Sequence, residues 1–125
     1  MNVLFEVSDR KELLALHRAL MEARFHPDPE QPELAGSPFI AAMSHRVVDA
    51  LASEDRPKWD AWRKAESHRH RFPVVLSRIA EANAWPGWTD TQKHDFVELL
   101  LAPFRAEPTT IAELVEEGDR QHREK

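Results

Sequence analysis

The residues of this sequence best suited to chemistry are its histidines. Seven are present and no cysteine is, and an imidazole is the one group here that exchanges a proton near neutral pH without a large shift. Two of them stand four residues ahead of a carboxylate within a segment that reads as helix, His45 before Asp49 and His94 before Glu98. On a helix that spacing puts both members of a pair on one face, as half of a metal site requires and as a solvated ion pair also requires. A metal-dependent hydrolase would need His94 and Glu98 to meet His45, Asp49, His68 or His70 across helices. Such pairs arise freely in a helical chain rich in charge, so the expectation is that they stay apart and that no metal is bound. His17 falls inside an apolar stripe with Leu13, Leu16 and Leu20, which predicts a histidine at the edge of the core. No phosphate-binding glycine loop, nucleophile motif or cofactor motif is present, so no catalytic residue and no cofactor is assigned.

The densest run of charge is 63–71, Arg-Lys-Ala-Glu-Ser-His-Arg-His-Arg. Helical spacing puts Lys64, His68 and Arg71 on one face, away from Trp59, Trp62 and Ala65. Phosphate contact is the sharpest use of such a face, but a net charge of −5 works against long-range attraction to nucleic acid. A solvated face that answers acids such as Glu30, Glu33 or Glu113 is favoured instead. The chain has four tryptophans and no tyrosine, placed as two pairs: Trp59 with Trp62, and Trp85 with Trp88 around Pro86-Gly87. Each indole can bury about 200 Å², and two such pairs are hard to cover completely in a small domain. One of them, Trp59 or Trp88, is therefore expected to lie partly open near the basic face or near 26–38, where it would serve as a protein-binding anchor.

These side chains must be held by short helices, because prolines and capping residues punctuate the chain. Ser37-Pro38, Asp55 with Pro57, Phe72-Pro73, Thr89 with Gln92 and Thr110 with Glu113 each supply a start. Apolar periodicity predicts helices at 9–25, 38–53, 57–71, 73–84, 90–105 and 110–118, roughly three-fifths of the chain. Gly118 is expected to stop the last one and to leave 119–125 frayed. Segment 26–38 carries four prolines and reads as a surface loop. Residues 2–7, Asn-Val-Leu-Phe-Glu-Val, have strand composition; the alternative is a helix running on from Val3. A strand with no second strand to pair with would find a copy of itself across a two-fold axis, another protein, or an extended piece of 26–34; the first of these is expected, which predicts a homodimer.

A chain of 125 residues supports one domain around one core. Hydrophobic residues at 42% and charged residues at 31% exclude wholesale disorder. The longest apolar runs fall short of the roughly 20 residues that span a bilayer, and the first residues lack the basic flank of a secretory signal, so no membrane association and a cytoplasmic location are expected. The expected fold class is all-α, an irregular bundle of five or six short helices with a strand at 2–7. The expected function is that of a non-enzymatic protein-interaction module, a small bacterial or phage regulator or inhibitor, using Trp59, Trp88, Lys64, His68 and Arg71. The alternatives are a metal-dependent hydrolase built on His45, Asp49, His94 and Glu98, and a nucleic-acid-binding accessory acting through 63–71.

Overall fold

Local capping decides where most of the helices begin. In the computed structural model, which describes residues 3–125, the Asp9 carboxylate accepts from the backbone N–H groups of Lys11 and Glu12 and opens α1 (Arg10–Phe25). Ser37 does the same for Ile40 at the start of α2 (Pro38–Ala52), and Asp55 for Lys58 at the start of α3 (Arg56–Trp62). Pro73 sits in the first turn of α4 (Phe72–Glu81). Thr89 and Gln92 form a reciprocal capping box on α5 (Asp90–Leu101). The sixth helix, α6 (Pro108–Arg123), begins two residues before the expected Thr110, because Pro108 presets its first turn and Glu66 accepts from the Glu107 N–H at 2.9 Å. Short 3₁₀ turns at Pro32–Leu34, Ala65–Arg71 and Trp85–Gly87 connect them, and helical structure reaches 72%. The fold is all-α.

Three expectations are corrected. Residues 3–7 form no strand, and Asn2 lies outside the described residues. An extended segment needs a neighbour for its backbone groups, and no strand exists among the described residues to supply one. Leu4 and Phe5 are consequently 97% and 78% exposed. Second, the helix expected over 57–71 ends at Trp62, because the backbone of Arg63 turns away to meet the chain after α5. The Arg105 N–H donates to the Arg63 carbonyl at 2.8 Å, and the Ala65 N–H donates to the Arg105 carbonyl at 2.9 Å. Third, 119–125 is not frayed. α6 runs through Gly118 to Arg123, anchored where Trp85 Nε1 donates to Asp119 at 2.8 Å and His122 Nε2 donates to the Ile79 carbonyl at 2.8 Å.

Two apolar clusters form. In the smaller, α1 and α2 pack side by side and α3 closes on them, burying Val47, Val48, Leu51 and Trp59 beneath Leu13, Leu16 and Leu20. The larger gathers Phe25, Val75, Ile79, Trp85, Val97, Leu101, Phe104 and Leu114, mainly from α4, α5 and α6. Trp62 packs against both. The chain leaving α5 is pinned by two buried arginines. Arg24, 2% exposed, donates to the carbonyls of Leu99, Ala102 and Ala35, which supplies partners that the last turn of α5 lacks within its own helix. Arg63, 3% exposed, donates through Nε to the Pro103 carbonyl at 3.1 Å. Among the described residues no helix is long and apolar enough to cross a membrane.

Candidate partner-binding groove

Helical spacing on α1 places His17, Met21 and Phe25 along one side, and the break after Trp62 brings Trp62 and Arg71 opposite them. The groove between has a volume of about 610 Å³. Its floor is aromatic. The His17 ring meets Trp62 edge-on at 4.9 Å and Trp59 at 5.5 Å, and Phe104 tilts against Trp62 at 4.8 Å and Phe25 at 5.6 Å. Edge-to-face and offset pairs of this kind add about 0.5–1.5 kcal/mol each beyond the area they bury, so the floor is rigid without any ligand.

Arg71 is the group that gives the groove its chemistry. Its guanidinium lies over Phe25 at 5.1 Å and Phe104 at 5.9 Å, a favourable use of the ring faces. Its Nε is closed off from solvent with no hydrogen-bond partner. Burial pulls Arg71 below the ordinary arginine value against the opposing pull of Glu22. Arg18 lines the same groove. Glu22, its acid, stands 3.8 Å from His26 rather than on either arginine. His17 is held below its usual range first by burial and then by the charges of Arg18 and Arg71. The groove thus presents two guanidinium groups and a neutral imidazole over an aromatic floor.

No family model, curated protein or solved structure matches this chain. The functional reading therefore rests on the side chains.

Of the five residues expected to bind a partner, Arg71 lines the groove. His68 lies behind it, stacked on Phe104 at 4.3 Å, with Nε2 donating to the Trp62 carbonyl at 2.6 Å; burial holds its pKa below the usual value. Lys64 is exposed but lies outside the groove lining, where its backbone bridges to Arg105. The expected single basic face is dispersed, since 65–71 is a 3₁₀ segment with a non-helical break at His68 (φ −128°, ψ 39°). Trp59 is not the open indole: it is 5% exposed, because α3 packs it against α1 and α2. Trp88 is half-buried against Phe96 at 5.1 Å and lines a separate surface groove.

The four possible metal ligands are divided. Arg63 takes the first pair, donating to Asp49 Oδ1 at 2.5 Å and to His45 Nδ1 at 3.0 Å. Since a guanidinium only donates, Nδ1 is the bare nitrogen and the proton sits on Nε2. Burial, then Arg63 and Arg105, hold His45 below its ordinary pKa. Glu98 lines a small cavity with His45. Among the described residues no three His, Asp or Glu side chains gather around one point, so Asp49 and His94 do not join them.

Sequence reasoning gave no binding role to Trp62 or Arg18, and did not single out the buried Arg24 and Arg63. Arg24 carried a readable signal, since it continues the Leu13, Leu16, Leu20 stripe of α1 at the next four-residue step. A charge on an apolar stripe marks a buried partner. Arg63 had no such signal, because its acceptors on Pro103, Asp49 and His45 come from distant parts of the chain.

Proposed function

We propose that this domain is a non-enzymatic protein-interaction module that receives an acidic segment with an aromatic or aliphatic tip in the α1–Arg71 groove. The observation that carries this reading is Arg71, half-buried over two rings with no ion pair to its guanidinium among the described residues. A guanidinium so placed favours a carboxylate that brings its own apolar neighbour, because the carboxylate supplies charge-assisted hydrogen bonds while the neighbour covers the aromatic floor. Arg18 steers the approach from the rim. The exposed Val3, Leu4 and Phe5 ahead of α1 add apolar surface suited to a second contact with the same partner.

The test uses synthetic peptides of alternating Asp/Glu and Phe/Leu, with Lys-substituted peptides as controls, followed by backbone amide shifts. The acidic peptides should perturb 17–27 and 62–71 and leave α6 unmoved. Arg71→Glu should abolish those shifts while circular dichroism stays the same. An acidic ligand should also raise the His17 pKa, since it offsets two of the charges that depress it. Perturbations outside these segments and the exposed 3–5, or equal binding of the Lys peptides, would refute the reading.

A further inference from the structure

A second cavity, of about 240 Å³, lies between the end of α5 and the start of α6, lined by His45, Glu98, Leu101, Phe104, Arg105 and Ile111 among others. It is smaller and more enclosed than the α1 groove, and its volume falls below the roughly 300–1,000 Å³ that suits drug-sized ligands.

Its polar groups differ in sign and in role. With Nδ1 held by Arg63, the His45 ring turns its Nε2–H edge away from Arg63 and offers a fixed donor. Arg105 is close enough for its charge to act on that imidazole, and its side chain makes no ion pair or hydrogen bond among the described residues. The Glu98 carboxylate, on the same cavity wall, likewise makes no ion pair or hydrogen bond among the described residues. Leu101, Phe104 and Ile111 supply an apolar surface beside them. A simple carboxylate would be drawn to Arg105 and repelled by Glu98, and a simple amine would meet the reverse. A zwitterion satisfies both charges at once.

We propose that this cavity binds a free aliphatic α-amino acid. Its carboxylate lies on Arg105 and the His45 Nε2–H, its ammonium on Glu98, and its side chain on Leu101 and Ile111. Phe104 lines this cavity and packs against Phe25 and Trp62 of the α1 groove, and the two linings share no residue.

The experiment is titration calorimetry on the full chain with L-valine, L-leucine and L-isoleucine. The controls are 4-methylpentanoate, which lacks the ammonium, and isopentylamine, which lacks the carboxylate. At least one of the amino acids should give saturable heat at millimolar concentration, with both controls about tenfold weaker or worse, as expected for loss of one charge-assisted contact. Arg105→Gln and Glu98→Gln should each weaken that binding about tenfold. Both side chains are exposed, so the variants fold, which circular dichroism checks. No saturable heat with any of the three overturns the proposal. So does binding that survives either substitution, or a control that binds as tightly as the amino acid.

Discussion

Gly118 lies so close to Trp85 that the helix has no room there for a methyl group. A Cβ at this position would stand 2.7 Å from Ile79 Cγ2 and 3.1 Å from Trp85 Cζ2. Glycine inside a helix is ordinarily about 1 kcal/mol worse than alanine, so propensity alone predicts that Gly118→Ala stabilises the fold. Contact predicts the opposite, because Ile79 and Trp85 are both fully buried and cannot give way. Urea denaturation should show Gly118→Ala less stable than the parent by about 1–3 kcal/mol.

Arg24 holds α1, the loop at Ala35 and the end of α5 together through one guanidinium. Burial pulls its pKa down to about 10, so it stays charged at neutral pH. Arg24→Met should cost about 3 kcal/mol or more, since it orphans carbonyls at three places. Arg24→Lys should recover little, because an ammonium on a flexible stem does not reproduce the planar fork. Chemical denaturation of both variants measures this.

Stability should fall as the solution is acidified below the ordinary histidine range. His17, His45 and His68 all have folded pKa values lowered chiefly by burial. Their unfolded values lie near 6.5, so as pH drops the unfolded chain takes up protons before the folded one does. Their contribution is complete above about pH 6.5 and is lost as pH falls from there toward the folded values. Thermal midpoints should decline between about pH 7 and pH 5.5, and His17→Asn should make the decline shallower.

The four indoles should divide into two classes. Trp59 and Trp85 are buried, whereas Trp62 and Trp88 are half-buried. Acrylamide should quench part of the emission only, and Trp88→Ala should remove a large share of the quenchable part without changing helix content.

The fold was readable from the sequence wherever one short segment decided the outcome. Asp9, Ser37, Asp55 and the Thr89–Gln92 box each begin a helix as their side chains dictate. The errors fall where distant residues decide. Gly118 reads as a stop signal, yet its missing side chain is what lets α6 approach Trp85. The 57–71 periodicity is interrupted because Arg63 joins backbone to Arg105, a pairing no local pattern reveals. The groove was half legible for the same reason: the basic run pointed to Arg71, but its aromatic floor is assembled from α1, α3 and the chain after α5.

The carbonyls that end α5 are satisfied by a side chain 75 and 78 positions earlier, and neighbouring Pro103 by one 40 positions earlier. Such long-range closure makes the folding reaction highly cooperative, because the terminal turn of α5 gains its partners only once the helices from the first half are in place. Reciprocally, Arg24 and Arg63 have nowhere to bury their charge until those carbonyls arrive. A chain emerging from the ribosome would carry both guanidinium groups in water until 99–103 had been made, and hydrogen exchange at this seam should report opening of the whole molecule rather than of a local patch.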